Sequence, residues 1–120
     1  MELNLDKTNE SFSADVDGIA IKHYIHGLEG GRALDMTGFA DDYVHEGHGV
    51  ILQAGVYKPQ PVDGSADADL VGVVRSTTRK SVPSVGVMTQ GTINNAVLKY
   101  PFNAASLAVL KLQGIYNQVD

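Results

Sequence analysis

The chain has no cysteine and no tryptophan among its 120 residues. Without cysteine, neither a disulfide framework nor a thiolate nucleophile is available, and the redox compartment of the protein is left undetermined. Long hydrophobic runs are also missing, because the longest near-apolar stretch, residues 104–110, is too short to span a bilayer. Residues 1–13 are polar and acidic and lack the basic and apolar regions of a signal peptide. We therefore expect a soluble product made in the cytoplasm.

The sequence also lacks the residue patterns of common catalytic sites. No serine lies in a G-x-S-x-G motif, and the glycine-rich residues 27–32 lack the Gly-Lys-Ser/Thr of a phosphate-binding loop. Asp41 and Asp42 are adjacent, so their side chains diverge if the chain is extended. The acidic residues 63–69 lack the spacing and the closing glutamate of an EF-hand. We predict that the protein is not an enzyme, with no catalytic residues and no cofactor.

Two pairs of histidines raise the question of a metal site. His45 and His48 are separated by two residues, and so are His23 and His26. The glycines on both sides of His48 argue against a rigid helical platform for the first pair. In a strand the second pair would point to opposite faces. We predict no metal site and interpret the histidines as surface or interface residues.

Charge is distributed unevenly along the chain. Residues 1–69 contain thirteen acids and four bases, whereas residues 70–120 contain five bases and one acid. The two halves therefore carry formal charges of −9 and +4 within a total of −5. Such a division favours binding to another charged surface, or to a second copy of the chain, over processing of a substrate.

Arg75, Arg79 and Lys80 form the densest basic cluster. A nucleic-acid-binding segment would be expected to have aromatic residues interleaved with the bases for stacking, and residues 75–81 contain none. We predict that this cluster contacts an acidic protein surface, and that the protein binds neither nucleic acid nor membrane. An ordinary solvated loop is the alternative interpretation.

Short segments with strand periodicity alternate with turns. Thirteen glycines and 43% hydrophobic residues indicate a compact, turn-rich fold, and the length fits one domain. Strands are predicted at residues 18–25, 33–39, 50–53, 56–62, 70–74, 82–89 and 115–116. Asn103 is predicted to cap a short helix that runs through Lys111 and ends at Gly114. This pattern predicts a mainly β protein, a small barrel or sandwich with one short helix.

The turns and one edge of the sheet can also be predicted. We expect residues 27–32 to form a loop, residues 45–49 and 54–55 to form turns, and Gln90 and Gly91 to end the strand that begins at residue 82. Pro59 and Pro61 are two residues apart, so both can lie on the same side of a strand and leave that side without N–H donors. The strand at residues 56–62 is therefore predicted to lie at an edge.

Residues 1–17 are predicted to form an extended N-terminal arm, and residues 18–120 a single β-rich domain. Leu3, Leu5 and Phe12 are isolated among acids and hydroxyls, too sparse to form a helix face. If extended, about fifteen residues reach roughly 50 Å, enough to cross a neighbouring subunit. A frayed terminus is the alternative.

Several glycine-led blocks occur in an order that is similar to that of a known family. They are GRALDMTGF at residues 31–39, GHGVI at 47–51, YKP at 57–59, VGVV at 71–74 and VGVMTQGTIN at 85–94. In this order and spacing the sequence resembles the head decoration, or structural cement, proteins of tailed bacteriophages. The resemblance implies a compact β domain, of the small barrel or β-tulip-like sandwich type, with an extended arm.

The resemblance also implies a function. Such a protein is a non-enzymatic virion structural protein, made in the host cytoplasm, that binds the outer surface of the capsid. There it staples neighbouring major capsid subunits and stabilises the expanded head, as a trimer or less often a dimer. On this basis Leu3, Leu5 and Phe12 would anchor the arm by adding a strand to a capsid subunit, and the basic cluster would make the electrostatic contact.

Two other classes of function remain open from the sequence. A phage fibre or adhesin-type receptor-binding module would also be rich in β structure and glycine, and could use Tyr24, Tyr43 and the histidines on an exposed face. A small sugar-binding or hydrolytic domain would need a concave pocket with converging carboxylates, and the sequence offers no such set.

Overall fold

A computed structural model of the protein describes residues 19–119. The predicted arm at residues 1–17, including Leu3, Leu5 and Phe12, lies outside the described residues. Within residues 19–119 the chain is mainly β with one α-helix, as predicted. No helix in this part of the chain is both long enough and apolar enough to cross a membrane.

Eight strands and one helix follow one another in the described residues. They are β1 (Ile21–Ala33), β2 (Tyr43–Val44), β3 (Gly49–Gln53), β4 (Val56–Pro59), β5 (Leu70–Val74), β6 (Thr78–Arg79), β7 (Ser84–Ile93), α1 (Ala104–Gln113) and β8 (Ile115–Asn117). Two short 3-10 helices, Asp67–Asp69 and Asn95–Val97, precede β5 and α1.

Six of the strands form one sheet in the order β1-β7-β5-β3-β4, with β8 added beside the second half of β7. All neighbours along this path are antiparallel, whereas β8 runs parallel to β7. Strands β2 and β6 pair in a separate two-stranded sheet. The prolines near residue 60 do mark an edge, because β4 ends the path. This pairing is compatible with the predicted small barrel or sandwich.

Both faces of the central strands are buried, which explains their near-continuous apolar sequences. On β3, Val50 and Ile51 pack into different hydrophobic clusters on the two sides of the sheet. One cluster is covered by α1 through Leu110 and by Phe102. The other is covered by the segment between β1 and β2, and its buried residues include Leu34, Met36, Phe39 and Val44. The predicted strand at residues 33–39 is therefore wrong, because this segment is a loop that caps the core.

Two predicted interruptions of strands are also wrong. Strand β1 continues through the expected loop at residues 27–32 by a shift of register between Leu28 and Arg32, where Gly30 and Gly31 adopt positive φ angles of 79° and 71°. Strand β7 continues through Gln90 and Gly91 to Ile93, because both residues pair with β1. Glycines in a sequence predict the end of a strand, but in β1 and β7 they permit bulges within continuous strands.

The predicted helix is confirmed almost to the residue. The Asn103 side chain accepts a hydrogen bond from the Ser106 amide at 2.8 Å, which caps the first turn. Gly114 ends the helix in a left-handed conformation with φ of 105°.

The linear division of charge does not separate the fold into an acidic part and a basic part. Strands β5 and β7, from the basic half, lie in the middle of the sheet, while β1, β3 and β4, from the acidic half, flank them. The acidic and basic halves of the sequence therefore contribute strands to the same sheet, and they do not form two separate charged parts of the fold.

The β3–β4 turn yields a prediction about stability. Ala54 and Gly55 form a two-residue turn with φ angles of 50° and 80°, a combination for which asparagine followed by glycine is preferred. A left-handed backbone costs most residues about 1 kcal/mol, and asparagine less. We expect Ala54→Asn to raise the free energy of unfolding by about 0.5–1 kcal/mol in urea titrations. Ala68→Asn, at an exposed position without a positive φ, is the matched control and should not stabilise; equal effects of the two changes would contradict this explanation.

Candidate interaction site

The turn at residues 45–49 is buried. His45, Glu46 and His48 are only 8%, 5% and 6% exposed. The prediction of surface histidines is therefore confirmed for the exposed His23 and His26 and is wrong for His45 and His48. The reason lies at Gly47, whose φ is 87° and where a side chain would collide with Leu98, so that only glycine lets the turn pack beneath this leucine.

Hydrogen bonds connect the buried turn to strands β1 and β5. The Gly47 amide donates to the Val74 carbonyl at 2.7 Å, and the Val74 amide donates to the His48 carbonyl at 2.8 Å. The Glu46 carboxylate accepts the Ile21 amide at 2.9 Å. The turn therefore connects the start of β1 with the end of β5.

A carboxylate, an imidazole and a phenol meet beside this turn. Asp41 Oδ2 lies 2.9 Å from His45 Nε2 and accepts the Tyr100 hydroxyl at 2.8 Å. Burial alone would raise the pKa of Asp41, but hydrogen bonds from Tyr100, the Tyr43 amide and His45 outweigh it, so the pKa lies below its ordinary value. The same hydrogen bond to Asp41, together with burial, raises the pKa of Tyr100.

His48 and Gln60 form the second part of the cluster. His48 Nε2 lies 2.8 Å from the Gln60 carbonyl, which can only accept, so this nitrogen carries the hydrogen. Burial lowers the pKa of His48 despite that hydrogen bond. The Gln60 side chain donates to Ser106 Oγ at 3.0 Å and so connects the end of β4 to α1.

The polar side chains of this cluster form hydrogen bonds that connect different segments of the chain. In the described part of the chain, no buried side-chain nitrogen or oxygen lacks a hydrogen-bond partner. Nor do residues 19–119 bring three or more histidine, aspartate or glutamate side chains into a group that could bind a metal ion.

The predicted basic cluster is divided among three environments. The Arg75 guanidinium lies over the Tyr24 ring, 4.1 Å from its centroid. The Lys80 ammonium donates to the Phe39 carbonyl. The Arg79 side chain is exposed, and its guanidinium has no hydrogen bond or ion pair within residues 19–119. Arg75 is exposed as well, so Arg79 is the one of the three whose exposed side chain makes no such contact within residues 19–119.

Arg79 borders an open surface cavity of 560 Å³, lined by Asp42, Tyr43, Arg79, Lys80 and Ser81. Tyr43 of β2 is the cross-strand neighbour of Arg79 in β6, so the two side chains lie on the same face of this small sheet. Sequence reasoning missed this arrangement because each of the two strands has only two residues, too few to show a periodicity.

Strand β1 presents an exposed edge. Within residues 19–119 it is the last strand on its side of the sheet, and five consecutive residues, 22–26, are exposed. Ile25 falls between the paired residues Tyr24 and His26 at a shift of register, and its side chain is 58% exposed. The other edge is less open, because the Asp35 amide donates to the Tyr57 carbonyl of β4.

The outer face of α1 is unexpectedly apolar. Ser106 and Leu110 face the core, whereas the exposed positions are Ala104, Ala105, Ala108, Lys111 and Leu112. Leu112 is 89% exposed, and Tyr116 and Val119 in the following residues are 52% and 56% exposed. Apolar residues on the solvent side of a helix are typical of a surface that a partner covers.

No protein-family model matches this sequence, and no curated protein matches it significantly.

Burial of His48 predicts how stability changes with pH. Its pKa in the folded protein lies below the ordinary 6.5, so below about pH 6.5 the unfolded chain binds more protons and stability falls as the pH decreases. Asp41, whose pKa is also lowered, adds a further loss only as the pH approaches and passes below 3.8. We expect the urea midpoint to decrease from about pH 7.5 to about pH 5. His48→Gln should flatten that dependence, whereas the exposed control His26→Gln should retain it. An unchanged pH dependence in His48→Gln would refute the role of this imidazole.

Proposed function

We propose that this chain is a non-enzymatic virion structural protein that binds the outer surface of a bacteriophage capsid and staples neighbouring major capsid subunits. One observation carries the proposal. The buried polar side chains of residues 19–119, among them His45, Glu46 and His48, join segments of the fold, while several large apolar side chains and a strand edge are exposed. This distribution is typical of a protein that works through its surfaces.

The edge strand supports strand addition as the mode of binding. An exposed strand edge offers unpaired backbone groups that another chain can extend. The predicted arm directly precedes β1 in the sequence, so the arm and this edge could each contribute a contact to the capsid. Leu3, Leu5 and Phe12 would then fill side-chain pockets on a capsid subunit.

Several modest contacts acting together account for the stapling. A chain of this size that binds a capsid subunit through its arm is held at high effective concentration near the next subunit. The apolar face of α1 and the open Arg79 side chain would add second and third contacts, either to the capsid or to another copy in a trimer. No single contact needs to be strong.

The direct test is co-sedimentation of the purified protein with phage heads. We expect binding to expanded heads in preference to unexpanded ones, and we expect deletion of residues 1–13 to reduce occupancy at least about tenfold, because the arm contact is lost. Leu3→Ser, Leu5→Ser and Phe12→Ser combined should reproduce the deletion.

A matched arm variant separates specific anchoring from general disturbance. Asn4→Ser, Thr8→Ala and Asn9→Ser alter the same segment without removing apolar side chains and should leave occupancy unchanged. Equal binding by the deletion variant and the full chain would exclude the arm as an anchor. Binding to cells, rather than to heads, would instead support a receptor-binding module.

The division of the basic cluster predicts unequal effects of its members. Arg79→Ser should weaken head binding by up to about fivefold, as expected for one exposed charge contact, and should reduce its salt dependence. Lys99→Ser removes the same charge from another exposed site and is the control. If the triple replacement of Arg75, Arg79 and Lys80 left both binding and its salt dependence intact, the electrostatic assignment would be wrong.

A further inference from the structure

The cavity beside β2 and β6 is lined by hydrogen-bond donors that have no acceptor in the described part of the chain. They are the Arg79 guanidinium and the hydroxyls of Tyr43 and Ser81. The Lys80 ammonium borders the same cavity and is positioned by its hydrogen bond to the Phe39 carbonyl. A volume of 560 Å³ falls within the range of about 300–1,000 Å³ typical of ligand sites.

This set of donors matches a carboxylate. A guanidinium presents parallel N–H groups that can bind both oxygens of a carboxylate, and such charged pairs are the stronger hydrogen bonds in proteins. Each carboxylate oxygen has a further lone pair, which a tyrosine or serine hydroxyl can satisfy. The cross-strand pairing of Tyr43 with Arg79 places both side chains on the same face of the two-stranded sheet, where both line the cavity.

Asp42 determines which kind of anion fits. With Arg79 and Lys80 it leaves the lining with a formal charge of +1, enough to neutralise one carboxylate but not a phosphate dianion. The Asp42 carboxylate can accept a hydrogen bond from a bound peptide, for example from the backbone N–H next to the peptide's acidic side chain. The mixed lining therefore favours an acidic residue within a peptide over a free phosphate group.

The strands beside the cavity favour an extended peptide. Within residues 19–119, β2 and β6 pair only with each other, so each has an edge without a neighbouring strand, although the Tyr43 amide already donates to Asp41 Oδ1 and the Arg79 carbonyl already accepts the Val82 amide. An extended segment can bond to such an edge through its backbone while one side chain enters the cavity.

We propose that this cavity binds a glutamate or aspartate side chain of an extended segment in a partner protein, with Arg79 as the principal contact and Tyr43 and Ser81 completing the site. The inference rests on the proposed function only in that the chain binds another protein. It adds the chemistry of the partner segment and the place where it docks.

The test is an NMR titration of the full ¹⁵N-labelled chain with acetyl-Ala-Glu-Ala-amide at low salt. We expect saturable shifts of the Tyr43, Arg79 and Ser81 backbone amides. Replacing the glutamate of the peptide with glutamine should weaken binding about tenfold, because a charged hydrogen-bonded pair is lost. Inorganic phosphate, added in a separate titration, should bind more weakly than the glutamate peptide.

Substitutions identify the contact. Arg79→Gln should weaken peptide binding about tenfold. Arg79→Lys should have an intermediate effect, because lysine keeps the positive charge but lacks the parallel N–H groups of the guanidinium. The control Lys99→Gln should bind the peptide like the unmodified chain. Equal binding of the two peptides, tighter binding of phosphate, or undiminished binding by Arg79→Gln would each overturn the assignment.

The peptide experiment uses no phage heads, so the two proposals can fail separately. Peptide binding without head binding would exclude the capsid function and leave the cavity assignment in place. Head binding without any shift at the three cavity amides would exclude the cavity assignment and leave the capsid function in place.

Discussion

The burial of one turn, residues 45–49, is the constraint on which the rest of the fold depends. A turn normally lies at the surface, because its backbone groups need partners. Here Val74 and the Thr77 hydroxyl supply those partners, and Gly47 supplies the space. The Glu46 side chain in turn binds the Ile21 amide of β1. Since the same turn contacts the start of β1 and the end of β5, its position sets how the edge of the sheet meets the centre.

Because this turn is buried, its titratable side chains lie inside the fold and not on the surface. Asp41, His45, His48 and Tyr100 are the side chains that would attract attention as a catalytic set, yet their hydrogen bonds are directed at one another and at the backbone. The exposed surface of residues 19–119 includes a strand edge, an apolar helix face and the cavity beside Arg79. Surfaces of this kind suit binding, and they are the part of the molecule in which the proposed function resides.

Features with local causes could be predicted from the sequence. The helix between Asn103 and Gly114 follows from its caps, and the edge position of β4 follows from Pro59, since both depend on a few neighbouring residues. The burial of His45 and His48 could not be predicted, because it depends on a contact between Gly47 and Leu98, fifty-one residues apart. The Arg79 cavity was missed for a similar reason, since two-residue strands have no pattern to detect. Glycines misled the prediction of β1 and β7 because a bulge and a break look alike in sequence.

The way the chain enters the fold has a mechanical consequence. Ala20 has no exposed surface, its carbonyl accepts the Asn94 amide at 2.8 Å, and the next amide, that of Ile21, is bound by the Glu46 carboxylate. A tensile force applied to the chain ahead of Ile19 would therefore reach this buried anchor before it reached the hydrogen bonds of the edge strand. The load would pass into the core through the turn instead of peeling β1 away from β7 one pair at a time. A protein tethered through that end could resist pulling without a long or rigid connection.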